Sequence, residues 1–154
     1  MESHARLWAE FSSLLRGLKD LNAHALETAG VRCELAGAAV LGRLELLGPV
    51  RLTDLAGALG LDPSSVSRQV TALERSGWVA RHKDPDDQRA QRLHLTDRGS
   101  DVVAVLRKAR VEALARITPG WTDDDIDALT DRLALLNTDL ETNRARLDTR
   151  LENA

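Results

Sequence analysis

Between Pro63 and Leu73 the chain reads Pro-Ser-Ser-Val-Ser-Arg-Gln-Val-Thr-Ala-Leu, with no carboxylate. At ~100° per residue, Val66, Val70 and Leu73 fall on one side of a helix. Ser64, Arg68, Thr71 and Arg75 fall on the other, with Ser65 and Ser67 at its flanks. Hydroxyl and guanidinium groups on a short, positive face have the chemistry to enter a major groove between two phosphate backbones. Another cation, Arg89, stands beside Asp86-Asp87-Gln88, where a turn is expected. An arginine on an extended loop reaches a minor groove, whose negative potential favours its charge. A solvated turn arginine paired with Asp87 is the plainer alternative, and both hold if the aspartate positions the arginine.

Two short helices must present the first face. The first spans about Thr53–Leu59, with Leu55, Ala56 and Leu59 apolar, and Gly60 supplies the backbone freedom for a sharp turn. Asp62 is a good N-cap, and Pro63 then occupies the first helical position, where its missing N–H costs nothing. The second helix runs to about Ser76 and stops at Gly77. The order small residue, glycine, branched apolar residue at Ala56, Gly60 and Val66 has helix-turn-helix spacing. Any two packed helices share part of that pattern; the polar face of the second helix adds the distinction. The stretches Trp78–Lys83 and Gln91–Thr96 look like strands and flank a polar turn, so they form one β-hairpin, the wing. Arg81, Lys83 and Arg92 lie on its strands.

The flanks are helical. Leu7, Phe11, Leu14, Leu18, Leu21 and Ala25 make one stripe on a helix over roughly Glu2–Glu27, broken by Thr28-Ala29-Gly30. A helix over about Val31–Leu47 is apolar nearly all round and belongs in the middle of the molecule. Near the other end Thr122 caps a helix opened by Asp123-Asp124-Asp125, whose charges complement its dipole. Ile126, Leu129, Leu133, Leu136, Leu140 and Leu147 then trace a heptad seam. Two such stripes suggest that the terminal helices pack together and build a dimer; an intramolecular bundle is the alternative.

Composition narrows the classes. The chain has 154 residues, 43% hydrophobic and 29% charged, as expected of one soluble globular domain. With three Trp, one Phe and no Tyr, stacking of single-stranded bases on aromatic platforms is not expected. The net charge of −3 is unevenly spread: residues 119–154 hold four basic and nine acidic residues, while residues 51–98 hold eight and seven. The acidity therefore lies away from the polar face. A lone cysteine, Cys33, excludes an intramolecular disulfide. No signal peptide or membrane span is read, so a cytoplasmic protein is expected. The four histidines lack ligand spacing, so no metal site is expected, and no nucleophile motif or phosphate loop points to an enzyme or a cofactor.

As a set, Leu52–Gly99 resembles the MarR family of bacterial transcriptional regulators: the turn, the Ser-Arg helix, the Leu-Glu-Arg-x-Gly exit, the Asp-x-Arg wing and the Leu-x-Leu-Thr-x-x-Gly lead into the next helix. The resemblance implies a mainly α fold with one β-hairpin, a winged helix-turn-helix dimerised by N- and C-terminal helices. It implies a single domain over residues 1–154, with the winged lobe at 31–99 and dimerisation helices at 1–30 and 100–154. A homodimer on a pseudo-palindromic operator of double-stranded DNA follows, with recognition helices in successive major grooves. Carried over by residue, Ser64, Ser65, Ser67, Arg68 and Gln69 are base-reading candidates, Gln69 the weakest because it projects near the buried edge. Thr71 and Arg75 are phosphate candidates, and Arg89 matches the wing arginine. The resemblance also implies repression released by a small aromatic or phenolic effector, for which Trp8, Arg16, His24 and Arg43 are candidate contacts. Oxidation sensing through Cys33 is a weaker alternative, since the peroxide-sensing branch keeps its thiol on the first helix. A winged helix serving only protein interaction is the competing class; it would show apolar or acidic residues on the recognition face.

Overall fold

A computed structural model describes the backbone of residues 1–151 and the side chains of residues 1–143. Its elements, in order, are α1 (Glu2–Thr28), α2 (Leu35–Leu47), β1 (Val50–Arg51), α3 (Leu52–Leu59), α4 (Pro63–Arg75), β2 (Val79–Lys83), β3 (Gln91–Leu95), α5 (Asp97–Ile117) and α6 (Asp123–Leu151). They fall into two compact units, Met1–Arg116 and Ile117–Ala154. Among the described residues no helix is long and apolar enough to cross a membrane.

Two elements differ from expectation. Helix α2 begins at Leu35 rather than Val31. Gly30, at φ 65°, closes the preceding helix with its own N–H on Glu27 and the N–H of Val31 on the Leu26 carbonyl, 3.0 Å each. That closure leaves Val31–Glu34 outside the helices, with a bend at Cys33 whose N–H meets the Val31 carbonyl at 3.3 Å, and Glu34, at ψ 155°, becomes the cap of α2. The sheet has three strands in the order β1-β3-β2, because the two-residue strand Val50–Arg51 pairs with Leu93 and Arg92. Two residues are too few for periodicity to announce a strand.

The first unit's core lies under the winged lobe. Val40, Leu41 and Leu44 of α2 pack with Leu55 and Ala56 of α3, Val66, Val70 and Leu73 of α4, and Val79 and Leu93 of the sheet, all buried. A second cluster joins Leu26 of α1, Ala38 of α2 and Leu106 of α5. Strands β2 and β3 pair antiparallel, Val79 opposite Leu95 and Lys83 opposite Gln91. Thr96 fastens the hairpin to α5: its Oγ1 donates to the Gly77 carbonyl at 2.7 Å and accepts from the Gly99 N–H at 3.0 Å.

In the second unit, Thr122 and Asp125 cap α6 reciprocally. The Asp125 N–H donates to Thr122 Oγ1 at 3.2 Å and the Thr122 N–H to Asp125 Oδ2 at 2.9 Å. Ile126, Leu129, Leu133 and Leu140 of the seam remain 36–52% exposed in the single chain. The side chain of Leu147 lies outside the described residues.

Candidate nucleic-acid interface

The α3–α4 corner turns on Gly60, which adopts φ 65° and ψ 30°. Its neighbour Leu61 donates its N–H to the Ala56 carbonyl at 3.1 Å, so α3 ends cleanly and α4 can start two residues later. Asp62 accepts the Ser65 N–H at 2.8 Å and the Ser64 hydroxyl. These bonds, that from Ser64 foremost, hold the Asp62 carboxyl well below the usual carboxylate range. The first turn of α4 is thereby fixed, and with it the direction of the outer face.

On that face Ser64 and Arg68 are exposed, and Ser65 and Ser67 are half-buried. Arg68 Nη2 donates to Ser65 Oγ at 3.2 Å, which aligns the guanidinium along the helix without a carboxylate. Thr71 is half-buried and returns its hydroxyl hydrogen bond to the Ser67 carbonyl at 2.9 Å. Gln69 turns away from the others: its Nε2 donates to Glu34 Oε2 at 2.8 Å, bridging to the cap of α2. Arg75, in the last turn, is exposed and has no ion-pair partner among the described residues.

Charge on this side is sorted by pairing. Glu74, the acid beside Arg75, is held by Arg81 Nε at 2.7 Å. Asp84 is fully buried, with Arg51 Nε at 2.7 Å and Arg92 Nε at 3.1 Å on its Oδ2. Its other oxygen, Oδ1, accepts the Asp86 N–H at 3.0 Å. Arg92, the Asp86 amide and Arg51 together hold the Asp84 carboxyl well below its ordinary range against the cost of burial. Asp86 takes Arg92 Nη2 at 3.1 Å, and Asp87 lies 3.7 Å from Arg51 Nη2. These nearby acids are thus engaged, while the guanidinium groups of Arg68, Arg75 and Arg89 carry no carboxylate partner among the described residues.

At the wing tip Asp87 does not pair with the Arg89 guanidinium. It accepts the Arg89 backbone N–H at 3.0 Å and so sets where that side chain starts. The Arg51–Asp84–Arg92 hub was not anticipated. Asp84 reads as a turn residue beside Pro85, and its partners lie 33 and 8 positions away, so no local spacing marks it.

The cavities give a different picture from the effector candidates. Trp8 is 72% exposed on α1. Arg16 is exposed, His24 shares a 3.4 Å contact with Thr28 Oγ1, and Arg43 is half-buried on α2. None of the four lines a cavity described for these residues. A groove of about 670 Å³ instead opens between α2 and α4, lined by Cys33, Gly37, Ser65, Arg68, Gln69 and Leu73 among others. Burial pushes the Cys33 thiol up, with Glu34 adding to the rise and Arg110 opposing it. A raised thiol is the reverse of what peroxide-reactive cysteines show.

Comparison with known proteins agrees with the geometry. Residues 36–90 match the model of the MarR family. An uncharacterized HTH-type transcriptional regulator of Bacillus subtilis, YkoM, is 33% identical over 91 residues, which span 59% of this chain and 59% of YkoM. The crystal structure of RV1404 from Mycobacterium tuberculosis superposes with a TM-score of 0.77 at 26% identity, covering 90% of this chain and 94% of that one. A crystal structure of MarR superposes at 0.78 with 21% identity, covering 91% and 94%.

Proposed function

We propose that the protein, whose residues 36–90 match the MarR family model, is a DNA-binding transcriptional regulator, a repressor that acts as a homodimer on a pseudo-palindromic operator. One observation carries this reading. Arg68, Arg75 and Arg89 stand free of carboxylates on the outer side of the winged lobe, while the acids around them are bound to other arginines or to caps. Such an arrangement leaves guanidinium groups for phosphates and bases although the chain as a whole is acidic.

Within this reading α4 is the recognition helix, with Ser64, Ser65, Ser67 and Arg68 toward base edges and Thr71 and Arg75 toward phosphates. Gln69, bonded to Glu34, stays the weakest of the base-reading candidates. Arg89 enters the minor groove from the wing. The half-exposed seams of α1 and α6 supply apolar surface for the second copy. A small aromatic effector seated in the α2–α4 groove would compete for the Gln69–Glu34 bond and touch Ser65 and Arg68 themselves, which couples occupancy to DNA affinity.

The test is a gel shift on the DNA upstream of the protein's own gene and on random duplex, across a salt series. The proposal expects tight binding to the upstream fragment, with log K falling linearly against log salt. Equal, weak and salt-insensitive binding to both duplexes would instead favour a winged helix used for protein interaction.

A further inference from the structure

The four histidines are scattered in sequence, yet the sheet brings two of them together. Residues Ala80 and His94 are opposed across β2 and β3, as are His82 and Arg92, so His82 and His94 are diagonal neighbours on one face. Their Nδ1 atoms lie 3.0 Å apart, with ring centroids at 4.8 Å and the rings tilted by 60°. His82 is exposed and His94 half-buried, so the pair opens to solvent. Two neutral imidazoles make this contact only if one Nδ1–H donates to the other's lone pair. A shift of that donor to its Nε2–H tautomer leaves two Nδ1 lone pairs converging on one point, without loss of a proton.

We propose that His82 and His94 form a two-point site for a late first-row divalent cation, with water in the remaining positions. Metal–imidazole bonds are about 2.0–2.1 Å long, so a 3.0 Å nitrogen separation subtends about 94° at the cation. That is near the right angle between neighbouring ligands in square-planar or octahedral coordination. It favours Cu²⁺ and then Ni²⁺ over tetrahedral Zn²⁺, which needs the nitrogens about 0.3 Å further apart. Among the described residues no group of three or more His, Cys, Asp and Glu side chains is poised to hold an ion, so the protein supplies two ligands. The facing cation, Arg92, is already compensated: its guanidinium lies 3.1 Å from both Asp84 and Asp86. On the opposite face Arg81 is taken by Glu74. A bound ion would staple β2 to β3 below the tip that carries Arg89.

The test titrates Cu²⁺ into the metal-stripped full-length protein, in a non-coordinating buffer at neutral pH. Affinity is read by competition with glycine, and ligation by electron paramagnetic resonance. The proposal expects one tight site per chain with nitrogen hyperfine structure, weakened at least tenfold in both His82→Gln and His94→Gln and unchanged in His4→Gln. Circular dichroism confirms that these surface variants remain folded. Wild-type affinity in either wing variant, or loss of the site in His4→Gln alone, would overturn it. Ni²⁺ should follow the same pattern with lower affinity.

Discussion

Replacing Gly99 by alanine probes how the wing is seated. Gly99 is buried in the first turn of α5, and a Cβ built there would stand 2.0 Å from the Trp78 carbonyl oxygen and 2.9 Å from its carbon. Carbon and oxygen approach to about 3.3 Å even in favourable contacts, so roughly 1.3 Å of separation must be found. Backbone supplies the obstacle, so no rotamer change relieves it. The Trp78 carbonyl also accepts the Thr96 N–H at 3.0 Å, and Thr96 ties Gly77 to Gly99. Overpacking costs about 1–3 kcal/mol, and each of the hydrogen bonds strained by the shift about 0.5–1.5 kcal/mol. The expected loss is about 2.5 kcal/mol or more, which is roughly 5–10 °C or more in Tm for a chain of this size. Thermal unfolding followed by circular dichroism measures it. Gly57→Ala is the control, because nothing lies within 4 Å of its built Cβ; it should raise Tm slightly through helix propensity. A Gly99→Ala variant melting within 2 °C (about half a kilocalorie to one) of wild type would refute the reasoning.

Other outcomes follow from the lobe's charge arrangement. Arg89→Ala should weaken operator binding by about 1–3 kcal/mol in a fluorescence titration; unchanged affinity would remove the wing from the interface. Arg68→Ala should weaken operator more than random duplex, whereas equal losses would make Arg68 a phosphate contact. For Arg75→Ala, the titrations should show similar weakening on every sequence and a salt slope smaller by about one. Asp84→Asn tests linkage by pH. The native carboxyl is depressed below its unfolded value, so its stabilisation is complete above about pH 4 and is lost as pH falls toward the native value. The Tm gap between wild type and variant should therefore be widest near neutrality and close in acid; a gap independent of pH would contradict the hub.

What the sequence made legible was local. Asp62-Pro63 marks the start of α4 because capping and proline geometry act within four residues, and Gly60 marks the turn for the same reason. The strands Val79–Lys83 and Gln91–Leu95 fall within the expected stretches, since the polar turn at Asp84-Pro85 that separates them is a local signal. Illegible features depend on pairing at a distance. Val50–Arg51 becomes a strand because β3 offers it an edge, and Asp84 is buried because two arginines from different strands neutralise it. His82 and His94 show the same limit: a search for helical ligand spacing passes over residues that only strand register makes neighbours. On the candidate face the contact that no local spacing marks is that of Gln69 with Glu34, 35 positions away. The groove beside α4 was not legible either, since its lining comes from separate elements; Trp8, Arg16, His24 and Arg43 do not border it.

The tip of the wing is closed upon itself. Asp84 donates its N–H to the Ala90 carbonyl at 3.0 Å, Ala90 donates to Asp87 at 2.9 Å, and both inner turns are made by aspartate side chains of the same loop. Residues 85–89 thus form a cassette anchored at its two ends. On the proposed function, exchanging its contents with Asp84, Asp87 and Ala90 kept should change what the wing prefers in a minor groove while α4 stays unaltered.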